Sequence, residues 1–314
     1  MARMGKIRSS TEPAGETRLP PPPSRPFDGH KGTFGTVIVV GGCPTMIGAP
    51  ALCAAAALRS GAGLVKLATT QAVLPWALTI EPSATGIVLT GRVREDLRRL
   101  DAADPLHHAV LAVGPGMGDA WPPSLVQRLL GGPRAVVLDA DGLNMLARAG
   151  SARTGDAPLV LTPHPGEFRR LAQPLGITRD PTDPAQRVAA ATALARAHRA
   201  VVVLKGRHTV VADASRHRIN TTGNPALATA GTGDVLTGII ASLIAQGLAP
   251  FDAASLGTHL HGLAADDWAT MHGDAGMTAS ELATLLPGAR QRMGKPPAKQ
   301  GQRQDAKTPS RQEQ

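Results

Sequence analysis

The chain has 314 residues, of which 42% are apolar and 2% aromatic, with no tyrosine; one large or two small domains are allowed, and the core must be filled by Ala, Val, Leu and Ile, which suits helices lying close on a sheet. The formal charge of +9 does not mark a nucleic-acid protein, because residues 1–31 carry six Lys/Arg against three acids and residues 290–314 carry seven against two, leaving the middle nearly neutral. Two cysteines, Cys43 and Cys53, exclude a disulfide framework, and the longest apolar run, 51–58, is far short of the roughly 20 residues of a membrane span.

Residues 1–30 are polar with a proline run at 20–23, and read as a disordered or extended tail. Residues 36–40 are the first predicted strand. A helix at 50–59 follows, with Pro50 placed for its first turn. Further strands are predicted at 64–68, 109–113, 135–138 and 159–161, the last followed by a short helix at 166–171. A helix at 185–198 precedes strands at 200–204 and 209–211. Helices at 234–246, 252–270 and 278–286 complete a single domain over 31–289, and residues 290–314 form a second polar tail. Apolar runs without alternation imply strands covered on both faces. The order of strands and helices implies a three-layer α/β/α sandwich around a mostly parallel sheet. The first 30 residues lack an apolar signal core, so a cytoplasmic protein without membrane or nucleic-acid partners is expected.

The sharpest segment is Gly231-Thr232-Gly233-Asp234, which runs directly into an apolar helix. The first N–H groups of a helix have no internal partner and, with the helix dipole, form an anion site. A carboxylate at its mouth suits a general base that takes a proton from a hydroxyl while the N–H groups hold a transferred phosphoryl group. The plain alternative is that Asp234 only caps the helix.

Other segments carry weaker signals, each with a plain alternative. Residues 31–35 are either a fold over a nucleotide or a glycine turn. Gly114-Pro115-Gly116-Met117-Gly118 is either a close approach of backbone to ligand or an unspecific turn. Asp139 and Asp141 could hold Mg²⁺ through water or cap the helix from Gly142. His164 stands on a proline-flanked loop, with Glu167 either reaching a metal through water or capping its own helix. Lys205-Gly206-Arg207-His208-Thr209 offers a phosphate a point charge, or is an ordinary polar hairpin. His259 and His261 are two apart and cannot share one helix face, which discounts a metal pair. Cys43 and Cys53 lack further zinc ligands, and the Gly114–118 turn lacks the full dinucleotide-binding fingerprint.

The Gly-Thr-Gly-Asp turn resembles the anion-hole and base motif of ribokinase-like kinases. The long form from Thr222 to Gly238 is similar in particular to the ADP- or ATP-dependent NAD(P)H-hydrate dehydratases. In matching order stand Lys31–Gly35, Gly48-Ala49-Pro50, Gly61–Val65, Gly114–Gly118, Asp139–Asn144, Thr162–Glu167 and Leu204-Lys205-Gly206, over roughly residues 31–287.

The resemblance implies a ribokinase-like fold and repair of the hydrated cofactors NADHX and NADPHX, with ADP (or ATP) as co-substrate, Mg²⁺, and ADP leaving as AMP. It implies Asp234 as base within Gly231, Thr232 and Gly233. Substrate contacts would come from Ala49, Gly116, His164 and Asp234. Nucleotide contacts would come from Lys205, Gly206, Arg207, His208, Thr209 and Gly233, with Asn144 near the phosphate path. A homo-oligomer is expected, with NAD(P)H-hydrate epimerase on a separate chain. The family often has a tyrosine in the loop that here reads Cys43-Pro44-Thr45-Met46-Ile47. Two rivals stand beside this reading: a kinase of a small alcohol such as a thiamine precursor, and a nucleotide-binding regulator without turnover.

Overall fold

A computed structural model describes residues 19–119, 121–150 and 155–294. The first strand, β1 (Thr36–Val40), is followed by helix α1 (Gly48–Arg59), β2 (Leu64–Thr70), α2 (Leu74–Ile80), β3 (Thr85–Leu89) and α3 (Val93–Ala103). Then come β4 (Val110–Val113), α4 (Pro123–Leu130), β5 (Val136–Leu138), α5 (Ala140–Ala149), β6 (Leu159–Leu161) and α6 (Pro165–Ala172). The chain continues through α7 (Arg187–His198), β7 (Val201–Leu204), β8 (Val210–Ala212) and β9 (His217–Ile219), and closes with α8 (Thr232–Ala245), α9 (Pro250–His272) and α10 (Ala279–Gly294).

The described strands form one sheet in the order β3-β2-β1-β4-β5-β6-β7-β8-β9. It is parallel from β3 to β7, and β8 and β9 are added antiparallel. The uniform apolar runs have the predicted consequence. Ile38, Leu111, Val136 and Val202 pack on one face with α4 to α7, while Val37, Val110, Val137 and Val203 pack on the other with α1 and α8. A third cluster joins α8, α9 and α10.

The sequence reading passes over several elements. The predicted third strand at 109–113 is β4, because β3 and the helices around it precede it. Strand β3 lies at the sheet edge with its first two residues exposed, so it lacks the fully apolar run of a central strand. Helix α3 buries only Asp96 and Leu100, and α2 is seven residues long. Strand β9 is a polar edge strand of three residues. At the tail boundaries, Arg290 donates to Pro23 O (2.6 Å) and Ser60 O (3.0 Å), and Arg25 donates to Gly61 O (2.6 Å) beneath the Phe34 ring. The segment from Leu19 is thus extended against the domain, and α10 runs past residue 289 to Gly294. The rest of the two predicted tails lies outside the described residues.

Helices α1 and α8 cross where Gly238 has no side chain: a Cβ there would strike the Cys53 carbonyl and crowd Ala56. Backbone cannot yield as a flexible side chain does. Gly238→Ala is therefore expected to cost roughly 1–3 kcal/mol, the usual penalty of overpacking, read as a lower denaturant midpoint at unchanged slope. An unaltered midpoint would show that α1 and α8 separate freely.

Candidate active site

Every parallel strand from β1 to β7, β2 and β3 apart, delivers a segment of interest at its C-terminal end, and the strand order reverses between β1 and β4. Ligands of open α/β sheets bind in that crevice.

Asp234 is not the helix cap. Gly231 occupies the N-cap of α8 with φ of 90°, a left-handed conformation that glycine adopts without strain, and Asp234 is the third helical residue. Burial pushes its carboxyl up to about 8, and the neighbouring Asp139 charge pushes the same way; Lys205 pulls down against them, and Asp141 and Glu167 add to the rise. A carboxylic acid that releases its proton near neutrality is suited to proton transfer.

Beside it lies a polar knot assembled from four chain segments. Lys205 Nζ, just past β7, is 2.8 Å from Asp139 Oδ1 and 3.8 Å from Glu167 Oε2. Thr237, one turn along α8 from Asp234, donates to Asp139 Oδ2 at 2.8 Å. Burial alone would lower the Lys205 pKa; the charges of Asp139 and Glu167, with the Asp139 hydrogen bond, outweigh it and raise it. Asp139 opens α5 without a side-chain cap bond, so its carboxylate is committed to Lys205 and Thr237 and not to its own helix. The next residue, Ala140, is held at φ 49°, a strained conformation for a residue with a Cβ, and such strain concentrates at functional sites.

Glu167 and His164 behave otherwise. Glu167 Oε2 accepts from the His164 N–H at 2.8 Å, and His164 Nδ1 accepts from Gly166 N at 2.9 Å, a reciprocal capping of α6. The capping alternative therefore holds for Glu167. Half of the His164 side chain nevertheless faces solvent, with Nε2 3.5 Å from Glu167 Oε1.

Beside Gly233, the residue before Asp234, lies a recess of about 680 Å³, lined by all of Lys205, Gly206, Arg207, His208 and Thr209, and by Thr232, Gly233 and the loop from Asn220 to Ala228. A Cβ on Gly233 would lie in ordinary contact with Lys205 Nζ (3.4 Å) and Asp139 Oδ2 (3.6 Å), which places the first turn of α8 against both groups. Gly116, at φ 62°, has no room for a side chain: a Cβ there would strike the Met46 carbonyl and Ala49 Cβ. Gly118 N donates to Asp141 Oδ2 at 2.7 Å, Asn144 reaches Asp141 at 3.4 Å, and Arg170 donates to Asn144 at 2.8 Å. Met46 lies over the Gly116–Gly118 turn with its Cε near Gly118.

The sequence reading misses Thr237, His261 and Asp266. Thr237 stands three residues after Asp234 on one helix face, a spacing that was available; its partner, 98 residues earlier, was not. Asp266 on α9 accepts from Gly223 N (2.9 Å) and Asn224 Nδ2 (3.0 Å), holding the loop that closes the recess. Among the described residues no group of three His, Cys, Asp or Glu is set to hold a metal by itself, and no helix is long and apolar enough to cross a membrane.

The strand order and the glycine-framed carboxylate that opens α8 define a ribokinase-like α/β/α protein. Comparison with known proteins narrows the class. A family model described as NAD(P)H-hydrate dehydratase matches residues 37–288, and the chain belongs to that family. It is 45% identical over 276 residues to a bifunctional NAD(P)H-hydrate repair enzyme of Moorella thermoacetica, covering 84% of this chain and 51% of that protein. It is 41% identical to an ADP-dependent (S)-NAD(P)H-hydrate dehydratase of Neisseria meningitidis, covering 87% and 90%. The chain thus spans about half the length of the bifunctional relatives. Among solved structures, an ADP/ATP-dependent NAD(P)H-hydrate dehydratase of Bacillus subtilis, co-crystallised with ATP and Mg²⁺, superposes with a TM-score of 0.73 at 32% identity, covering 86% and 94%. A hydroxyethylthiazole kinase of Pyrococcus horikoshii, at 17% identity and TM-score 0.55 over 82% and 89%, shares the fold alone.

Proposed function

We propose that the protein restores hydrated NADH or NADPH to the reduced cofactor at the expense of a nucleotide phosphate, with ADP as donor and AMP and phosphate as products. The observation that carries this reading is Asp234: a half-buried carboxyl at a glycine-framed helix N-terminus, its pKa pushed up to about 8, directly after the Gly233 that borders the recess lined by residues 205–209. Relatives along nearly the whole domain carry the dehydratase name.

The nucleotide enters the recess, with its terminal phosphate toward Lys205 and Gly233. The hydrate ring approaches from Ala49, Gly116 and His164, and turns its hydroxyl to Asp234. Asp234 accepts the hydroxyl proton as the oxygen bonds to phosphorus and the bond to the nucleoside phosphate breaks. The N–H groups of the first turn of α8 hold the charge on the phosphoryl oxygens. The phosphorylated hydroxyl is then a good leaving group; phosphate departs with its bonding electrons, and a proton leaves the adjacent carbon to form the ring double bond.

Asp139 and Glu167 flank Lys205, and both can reach an ion through water. This fits Mg²⁺, which keeps several waters and is held by phosphates with one or two carboxylates. Bound with the nucleotide, it would supply positive charge against the transferring phosphoryl group. A relative is named as acting on the (S) form of the hydrate and others as bifunctional repair enzymes, so an epimerase is the expected partner activity, and the cytoplasm the expected location.

The test is the absorbance of reduced nicotinamide when the protein meets hydrated NADH and Mg²⁺ with ADP or ATP. Recovery that requires nucleotide supports the reading and names the donor. A folded protein that binds nucleotide yet restores no absorbance with either belongs instead to the small-alcohol kinases.

A further inference from the structure

His261, which the sequence sets aside as a metal ligand, lies on α9 and lines the recess. Its Nε2 is 2.9 Å from the carbonyl oxygen of Thr232. A carbonyl only accepts, so the hydrogen sits on Nε2 and Nδ1 keeps a lone pair. Burial pushes the imidazole down to about 4; the bond to Thr232 works against this, and the Lys205 charge adds to the fall. The ring is neutral around pH 7, and the tautomer is set by its partner.

Thr232 is the first residue of α8, directly before Gly233 and Asp234. Its hydroxyl reaches the carbonyls of Leu227 and Thr229, both at 2.9 Å. Gly231, at φ 90°, brings no side chain to restrain the turn. Hydrogen bonds to Thr232 from two sides therefore restrain the first turn without taking up the N–H groups that a capping side chain would occupy. The same helix holds the opposite wall: besides Asp266, the His259 carbonyl accepts from Thr222 at 3.0 Å. Both walls of the recess hang on α9.

We infer that His261 is a positioning residue: a neutral Nε2–H donor that clamps the Thr232 carbonyl and so fixes the first turn of α8, its N–H groups and the Asp234 carboxylate for phosphoryl transfer. Its activity readout rests on the dehydratase reading above; its structural readout does not.

The full chain with ¹⁵N-labelled histidine is examined by NMR between pH 6 and 8. A neutral ring with hydrogen on Nε2 is expected; an Nδ1–H tautomer, or an imidazolium at pH 6, overturns the inference whether or not any variant folds. In parallel, His261→Phe is expected to lower kcat about 100-fold, the scale of a small misplacement of catalytic groups, with KM for the hydrate little changed. His261→Gln, whose amide can donate to the same carbonyl, is expected to restore most of the loss. A Phe variant with native kcat, or a Gln variant as impaired as Phe, overturns it. Should the unaltered protein restore no cofactor, the function reading fails, and amide exchange at residues 233–236 decides the inference: about 5- to 10-fold faster in His261→Phe alone, as for loss of one hydrogen bond. Equal exchange in both variants overturns it.

Discussion

Asp234→Asn is expected to reduce turnover by roughly 10³-fold, within the 10²–10⁴ that a positioned base contributes, while making the protein more heat-stable at pH 9. The two effects have one cause. The Asp234 carboxyl has a folded-state pKa of about 8, against 3.8 for the free side chain, first through burial and then through Asp139. Between these values the native state keeps a proton that the unfolded chain has lost. Stability from this group is full below about pH 4 and falls as pH rises toward 8. Asparagine has no proton to lose, so the variant's melting temperature should exceed that of the unaltered protein by a margin that widens from pH 5 to 9. Catalysis needs the opposite form. In the unaltered protein kcat/KM should rise through pH 8 as the carboxylate forms, and the residual rate of the variant should be flat there. A variant that keeps a tenth of the turnover removes Asp234 as base.

Lys205→Met is expected to weaken ADP binding by about 10- to 100-fold, the worth of a hydrogen bond to a charged group. Lys205 Nζ stands between Asp139 and Glu167 and next to Gly233 at the entrance of α8. Methionine keeps most of the stem and removes the ammonium, with its charge and its hydrogen bond to Asp139. Asp139 and Glu167 would then repel an incoming phosphate without compensation, and one of the clustered carboxyls would take up a proton. Lys205 also pulls the Asp234 pKa down. Its loss should therefore move the rise of kcat/KM to a pH above 8, a shift that simple loss of nucleotide affinity does not produce. Calorimetry with ADP and a pH series of initial rates measure the two. Undiminished ADP affinity would place the nucleotide outside the recess lined by residues 205–209.

Of the two basic tails, residues 1–18 and 295–314 lie outside the described structure. Within the domain, the central strands were legible in the sequence because each is buried on both faces, which demands apolar runs of Val, Leu, Ile and Ala in β1 from Val37 and in β4, β5, β6 and β7. The edge strands β3 and β9 were not legible, since half-exposed strands need no such run. Helix α8 and its Gly-Thr-Gly-Asp entrance are local, because an anion site and a left-handed N-cap need only consecutive residues.

What the sequence could not determine by itself was the meeting of distant side chains. Asp139 read equally as helix cap or ion ligand. Its side chain does not cap its own helix: Lys205, 66 residues on, and Thr237, 98 residues on, each bond one of its oxygens. Glu167 was open to capping or to an ion through water, and caps α6 while still facing Lys205. His261 carried no local signal at all, because its partner is a backbone carbonyl on another helix, and any residue type at position 232 would have supplied one. Periodicity and local turns follow from neighbouring residues alone. The proton-holding state of Asp234 follows from burial and from charges at Asp139 and Lys205, which only the packed sheet brings to its side.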